Sequence, residues 1–379
     1  MKISFIFGTR PEAIKLAPLI CEANKRSSFT TNVCVTGQHR EMLDQVLKTF
    51  GITADADLAL MKPNQGLAEL TSRCIMSVSN YLNQEKPDMV IVQGDTTTVM
   101  SAAMAGFYQD IPVGHVEAGL RSHNIRSPFP EEMNRIIARV ASSMHFAPTT
   151  RAYNNLISEG VDPRNVIVTG NTGIDALKEA VKLVHGRQFN IEGLPSELIS
   201  MNSQRPIVLI TGHRRENFGD GFLNICRGIK ELSLKFPDAA FIYPVHLNPN
   251  VRGPVSDILR VDDLPNLYLI EPLDYLPFVY MMNRSTLLLT DSGGVQEEAP
   301  GLGKPVLVMR ENTERPEAVE AGTAKLVGTD RSRIVQEVSK LLTDKDEYRK
   351  MANAVNPYGD GHACSRILDF IESRNGTLK

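Results

Sequence analysis

Short apolar runs alternate with segments of helical periodicity from one end of the chain to the other, and this alternation constrains the fold more than any other feature. An apolar run of three to six residues with no polar face must be covered on both sides, as strands of a parallel sheet are. Runs at 3–7, 32–36, 89–93, 112–117, 144–147 and 166–168 fit that description. Helical patterns at 13–26, 41–50, 67–85, 97–109, 131–140 and 149–159 lie between them. The pattern fades into a polar, broken connection at 186–204 and then restarts. Strands are expected at 207–211, 240–244, 267–270, 287–290, 306–309 and 324–327, with helices at 221–235, 274–283, 295–301 and 332–343. A last helical segment covers 362–374, after a polar break at 356–361. Strand–helix alternation of this kind predicts an α/β fold of two Rossmann-like domains facing one another across a cleft. The expected boundaries are 1–170, joined by a C-terminal helix at 362–379, and 171–361. Ligands of such sheets gather outside the carboxyl ends of the strands.

Composition narrows the partners. The 379 residues are enough for two ordinary domains. With 41 basic against 44 acidic residues, no basic surface for nucleic acid is expected. Five cysteines are scattered without a CxxC pair, which suits a reducing compartment. The N-terminal apolar run is too short for a secretory signal, and no stretch approaches a membrane span. A soluble, cytoplasmic protein is the expectation. No HExxH or Cys/His spacing suggests a metal, and no GxxxxGK[ST] or GxGxxG suggests an ATP or nicotinamide site. No cofactor is expected.

The polar clusters fall at expected strand ends. After 287–290 comes Asp291–Ser292–Gly293–Gly294, then a helical stretch carrying Gln296, Glu297 and Glu298. A glycine turn into a helix start exposes backbone N–H groups where the helix dipole is positive, so an anion can sit there. A tight strand–helix turn with no ligand has the same sequence. A carboxylate one turn into that helix could accept hydrogen bonds from ribose hydroxyls. After 3–7, Arg10 and Lys15 flank a helix start and could reach an anion, or could be solvated surface cations. Asp95 follows an apolar strand; it could cap the next helix or face the cleft as a base. Glu117 ends a strand in front of Ala118–Gly119, where packing explains a carboxylate poorly. Glu131 or Glu132 near a helix start can simply favour the dipole, and Arg135, one turn on from Glu131, could pair with it. His213–Arg214–Arg215 at a strand end suggests a phosphate clamp. His246 is explained equally well as a structural histidine. Phe278 could stack on a base or belong to the core, and Arg315 could add charge at a pyrophosphate.

Read together, these segments resemble the non-hydrolysing UDP-N-acetylglucosamine 2-epimerases along nearly the whole chain. The resemblance is carried by FGTRPEAIKLAPL from Phe7, VTGQHREMLDQVL from Val35, VQGDTTT from Val92, HVEAGLRS from His115 and PFPEEMNR from Pro128. It continues with TGNTGIDAL from Thr169, TGHRREN from Thr211, YPVHLNP from Tyr243 and TDSGGVQEEAP from Thr290 through RENTERPEA. It implies a GT-B-type fold, a homodimer, and interconversion of UDP-GlcNAc and UDP-ManNAc through loss of UDP to 2-acetamidoglucal and its re-addition. By motif, Asp95, Glu117, Glu131, His213 and Lys15 match positions implicated in catalysis. Ser292, Gly293, Gly294 and Glu298 match the UDP loop, with Glu298 on the ribose. Arg10, Arg135, His213 and Arg315 match substrate or diphosphate contacts, and Phe278 lies beside the uracil. Some members bind a second UDP-GlcNAc as an activator; Gln38 and Arg214, with His246, are assigned to that site. Glu41 and Asn64 stand where those members carry Gln and Arg.

The residue types suit that chemistry. The hydrogen on C2 is not next to a carbonyl and is barely acidic in the ground state. Loss of UDP from C1 builds oxocarbenium character, which acidifies it. Fixed cations and dipoles must therefore stabilise the departing diphosphate, and a positioned base must take the proton. A hydrolysing epimerase, a UDP-sugar glycosyltransferase and a nucleotide-sugar sensor are the rival readings.

Overall fold

The computed structural model describes residues 1–37, 40–62 and 65–374, and the chain divides into two compact units. One comprises Met1–Ala176 with Tyr358–Lys379, the other Leu177–Pro357.

The first unit runs β1 (Lys2–Phe7), α1 (Arg10–Ala23), β2 (Thr30–Val35), α2 (Arg40–Thr49), β3 (Ala56–Asp57), α3 (Leu67–Glu85) and β4 (Met89–Gln93). It continues α4 (Thr97–Tyr108), β5 (Val113–Val116), α5 (Glu131–Ala141), β6 (Met144–Ala147), α6 (Thr150–Ser158) and β7 (Val166–Val168). Its seven strands are ordered β3-β2-β1-β4-β5-β6-β7, and all pairs are parallel. Side chains alternate across the sheet with the period of a strand. Ile3, Phe5 and Phe7 of β1, with Met89 and Ile91 of β4, pack on Leu16, Leu19 and Ile20 of α1. Ile6, Val90 and Val92 pack on the other face with Val78 and Leu82 of α3 and Val99 and Ala103 of α4.

Helix α1 begins at Arg10, three residues before its expected start. Thr9 caps it, Pro11 lies in its first turn, and the Glu12 carboxylate returns to the Thr9 N–H to close a capping box. The chain leaves this unit through α7 (Thr172–Val184).

The second unit runs α8 (Ser196–Ile199), β8 (Ile207–Thr211), α9 (Asp220–Lys235), β9 (Ala240–Pro244), α10 (Pro249–Ile258), β10 (Leu267–Ile270) and α11 (Tyr275–Arg284). Then come β11 (Leu287–Thr290), α12 (Gly293–Glu298), β12 (Val306–Val308), α13 (Pro316–Glu320), β13 (Ala324–Leu326), α14 (Arg331–Thr343) and α15 (Lys345–Ala352). Its sheet is β10-β9-β8-β11-β12-β13, again wholly parallel. Val208, Ile210, Leu287, Leu289 and Leu307 pack there against Phe222, Ile225 and Ile229 of α9. Both sheets thus have the doubly wound order 3-2-1-4-5-6, with a seventh strand in the first.

The final helix, α16 (Ala363–Ser373), belongs to the first unit. Ile367, Leu368 and Ile371 enter the core that holds α1. Asp175 fixes its start, its two oxygens accepting from Ala363 N and Cys364 N at 3.2 and 3.0 Å. Gly359 and Gly170 meet backbone to backbone nearby; a Cβ on Gly170 would stand 3.3 Å from the Gly359 Cα. Asn171 N donates to Tyr358 O at 2.7 Å beside them.

Several elements depart from expectation. Strand β3, with two residues, is too short to carry a pattern. Helices α7, α8, α10, α13 and α15 lie where no helix was expected. In α10, Pro249, Gly253 and Pro254 mask the periodicity: Pro249 is tolerated in the first turn, and Val251 and Val255 supply the buried side.

Candidate functional site

In a doubly wound sheet the chain order reverses between the first and fourth strands, and the loops leaving those strands diverge to form a crevice. In the first unit these loops follow β1 and β4, with the loop after β5 next to them. In the second they follow β8 and β11. The expected site residues fall largely on these loops.

In the first unit Glu117 follows β5 with φ +65°, a left-handed conformation that a non-glycine residue adopts at some cost. Its buried carboxylate accepts from Lys15 Nζ at 2.7 Å on each oxygen. Asn171 Nδ2 donates to it at 3.4 Å, and the buried Gln93 amide donates to it as well. Lys15 is therefore the counter-ion of Glu117, with side chains 17% and 6% exposed. A cation and an acid locked together at a strand end form a positioned acid–base group.

Asp95 does not cap α4. Thr96 does, accepting from Val99 N. Asp95 instead receives Arg135 Nε and Nη2 at 2.9 and 2.6 Å on one oxygen. Arg135 does not pair with Glu131 as its spacing had suggested. Its Nη1 donates to Glu132 at 2.9 Å, and Glu132 also accepts from Ser122 N and His123 N at 3.1 and 3.2 Å. The two adjacent acids at the start of α5 are thus separated by environment. Glu132 is buried and its bonds organise the loop after β5. The Oε2 of Glu131 is buried without a hydrogen-bond partner among the described residues, which leaves an acceptor for something outside the chain.

Arg10 is half-buried at the start of α1, and among the described residues its guanidinium has no carboxylate partner. Just inside it, Glu12 joins the loops after β1 and β4. Its Oε2 accepts from Gly8 N and Thr9 N at 3.2 and 2.8 Å, and its Oε1 accepts from Thr96 Oγ1 at 2.8 Å. Burial pushes this carboxyl up to about 7, against the lowering effect of those donors. His115 Nε2 bonds Gly94 O at 2.7 Å and steadies the same loop; burial holds this imidazole down at about 4.

In the second unit Asp291, wholly buried at the end of β11, gathers the loop after β8. Its Oδ2 accepts from His213 N and Arg214 N at 2.8 Å each, and from Asn217 Nδ2 at 3.4 Å. His213 stacks on His246 with ring centroids 4.9 Å apart and planes 11° apart. Burial lowers the His213 imidazole's affinity for a proton, Asp291 opposes that, and His246 and Arg214 add to it. His246 also accepts from Asn248 N at 3.1 Å.

Gly293 and Gly294 open α12 without left-handed backbone angles. A Cβ on Gly294 would meet nothing within 4 Å, and one on Gly293 would meet only Arg214 Nη2 at 3.8 Å. Neither conformation nor packing within the chain asks for glycine here. Close approach of a ligand to the backbone would ask for it. Ser292, the residue before the helix, has its N–H turned to Thr290 Oγ1 at 3.0 Å. Glu298 ends α12, half-buried. Arg315 caps α13 and is paired with Glu297. Phe278 lies on α11, half-buried. Gln38 and Asn64 lie outside the described residues, as does the side chain of Glu41.

Three groups that sequence reasoning did not single out prove central: Glu12, Gln93 and Asp291. Thr9-x-x-Glu12 is a capping-box spacing and was a usable signal. Nothing in the sequence marks the partners of the other two. Among the described residues no group of three or more His, Cys, Asp or Glu side chains could hold a metal. No described helix is long and apolar enough to cross a membrane.

The family model for UDP-N-acetylglucosamine 2-epimerase matches residues 21–372. The chain is 52% identical to the UDP-N-acetylglucosamine 2-epimerase of Yersinia pestis over 382 aligned positions, covering 100% of both chains. Among solved structures it is similar to the UDP-GlcNAc 2-epimerase of Neisseria meningitidis bound to UDP-GlcNAc, with 51% identity and a TM-score of 0.88, covering 98% of this chain and 100% of that one. The Methanocaldococcus jannaschii UDP-GlcNAc 2-epimerase in complex with UDP-GlcNAc and UDP matches at 35% identity and a TM-score of 0.78, covering 98% and 100%.

Proposed function

This chain belongs to the UDP-N-acetylglucosamine 2-epimerase family, and on that footing we propose that it interconverts UDP-GlcNAc and UDP-ManNAc without hydrolysis. The C1–O bond breaks and its electron pair leaves with UDP. A base takes the C2 proton, and the C2–H electron pair forms the C1=C2 bond of 2-acetamidoglucal. In the return step C2 is protonated on the opposite face and the diphosphate oxygen adds again at C1. Inversion requires proton delivery to two faces, so more than one acid is needed.

The observation that carries this reading is the Glu117 carboxylate, held by Lys15 beyond the end of β5. Asp95 with Arg135, and Glu131, one of whose oxygens has no partner among the described residues, supply the further acids. Ser292, Gly293 and Gly294 bind the diphosphate, with His213, Arg10 and Arg315 contributing charge; Glu298 binds the ribose and Phe278 lies beside the uracil. The glycines that the chain's own packing does not require support this assignment. Oxyanion-type stabilisation of the leaving group is the largest single effect asked of these groups.

Incubation with UDP-GlcNAc in D2O, followed by NMR, tests the proposal. The expected result is a mixture of the two UDP-sugars carrying deuterium at C2. Free ManNAc with UDP would replace it with a hydrolysing reaction, and an unchanged substrate would favour a transferase or sensor.

Two further parts belong to the same reading. A second UDP-GlcNAc activates the enzyme through Gln38, Arg214 and His246; a hyperbolic rate curve with full turnover of UDP-ManNAc alone would remove this part. The chain pairs with a second copy of itself. Phe107 and Tyr108 at the end of α4, and Val140 near the end of α5, are 62%, 66% and 68% exposed and offer apolar surface to such a partner. Sedimentation at the monomer mass would refute the dimer.

A further inference from the structure

Asp291 presents two unlike oxygens. Oδ2 is fixed by two backbone N–H groups and by Asn217, so the carboxylate cannot swing. Oδ1 is buried and has no hydrogen-bond partner among the described residues. A buried carboxylate oxygen without a donor is uncommon and asks for an explanation. His213 Nδ1 stands 3.8 Å from it, an ion-pair distance rather than a hydrogen bond. A displacement of about 1 Å would close the gap to bonding distance. The imidazole is restrained by its stack on His246, and its own backbone N–H is held by the same carboxylate.

We propose that Asp291 is the positioning residue for His213: its Oδ1 accepts from Nδ1–H, so that Nε2 is the nitrogen that exchanges a proton with the substrate. The proposal rests on the epimerase reading for the identity of that substrate. As the C1–O bond breaks, the Nε2 proton of the imidazolium passes to the departing diphosphate oxygen and the ring becomes neutral. In the return step that proton goes back to Nε2 as the oxygen rebinds C1. Asp291 transfers no proton and touches no substrate. Its contribution is the ring's orientation and the stability of the imidazolium. Three groups face the ring and set this balance: Asp291 from the end of β11, His246 from the loop after β9, and Arg214 from its own loop. The carboxylate favours the charged ring, the other two disfavour it, and burial acts with them.

The experiment is an NMR titration of 15N-histidine-labelled full-length protein, with His213 assigned through His213→Asn. In the unsubstituted protein the neutral ring is expected as the Nδ1–H tautomer. In Asp291→Asn the His213 titration should move down by about one pH unit or more. A neutral ring wholly in the Nε2–H form, or an unmoved titration in Asp291→Asn, overturns the proposal. The tautomer measurement needs no variant and stands even if Asp291→Asn folds poorly. It also needs no turnover, so failure of the epimerase reading would be distinguishable. In kinetics, Asp291→Asn should lower kcat by about 100-fold or more and change UDP affinity by less than about threefold. Added to His213→Asn it should lower kcat no further, because it acts through that ring. A full additional loss in the double variant would assign Asp291 a separate role.

Discussion

Lys15 Nζ lies 2.7 Å from each carboxylate oxygen of Glu117, joining the middle of α1 to the residue after β5 across 102 positions of sequence. Both partners are largely buried, so neither has water to fall back on. Removing one leaves the other charged in a poor solvent, and a buried pair broken on one side costs about 3–5 kcal/mol. Lys15→Met should therefore lower the unfolding free energy by about 3 kcal/mol, since Gln93 and Asn171 still donate to Glu117. It should also lower kcat by about 100-fold or more. Urea unfolding and steady-state rates measure the two effects, and an unchanged rate would make Lys15 structural only.

Glu117→Gln keeps the shape and the amide contacts but removes the base. Deuterium incorporation at C2 should disappear, while UDP affinity measured by calorimetry stays within about threefold. Retained exchange would exclude Glu117 from proton transfer and move attention to Asp95 or Glu131.

Glu131 and Glu132 are neighbours with opposite expectations. Glu132 gives two backbone N–H groups and Arg135 their acceptor, and its side chain is 1% exposed. Glu132→Ala should cost about 3–5 kcal/mol of stability. Glu131 has an oxygen with no partner among the described residues to lose, so Glu131→Gln should cost less than about 1 kcal/mol while lowering kcat by about 100-fold. Thermal unfolding and rates measured on the same two preparations decide it. A stable, fully active Glu131→Gln would remove that residue from the chemistry.

The strands were legible because a parallel sheet leaves its mark in each strand separately. MVIVQ at β4 and LLLT at β11 need no partner to be recognised as buried. The loops of interest were legible for the same reason: Asp95, Glu117 and His213 each stand just after such a run. Helix α7 was legible too, since Ile174, Leu177, Ala180 and Val184 have helical spacing and are buried. Its first turn reads as a polar motif, which masks that spacing. Other relationships were not available to sequence reasoning. Asp291 meets His213 N across 78 residues, and Glu12 meets Thr96 across 84. A carboxylate that bridges two loops looks, in a sequence, like any acid near a helix start.

The opening of α12 tests the ligand explanation of its glycines. A Cβ on Gly294 would collide with nothing in the chain and needs no unusual backbone angle, so Gly294→Ala should leave the melting temperature unchanged or slightly higher. If a diphosphate approaches that backbone, the same methyl group should weaken UDP binding by about tenfold or more. Calorimetric titration with UDP reads this directly. Undiminished affinity would leave the glycine unexplained and weaken the assignment of the loop.

The Glu12 carboxyl yields a prediction about pH with a definite sign. Burial raises it from 4.5 to about 7 in the folded protein, so between those values the folded state holds a proton that the unfolded state has released. Its contribution to stability is therefore fully present below pH 4.5 and is lost as pH rises through about 7. That difference corresponds to roughly 3 kcal/mol. His115 and His145, held down at about 4 and about 3 by burial, act in the opposite sense, because the folded state resists taking up their protons as pH falls. The informative quantity is accordingly the difference between two proteins that share those histidines. Glu12→Gln should be less stable than the unsubstituted chain at low pH, where its amide group faces donors that a carboxyl served. The gap should narrow by roughly 3 kcal/mol between about pH 5 and pH 8, because the variant has no proton to lose at this position. Urea unfolding across that range checks it, and parallel stability curves would mean that Glu12 is ionised in the folded protein throughout.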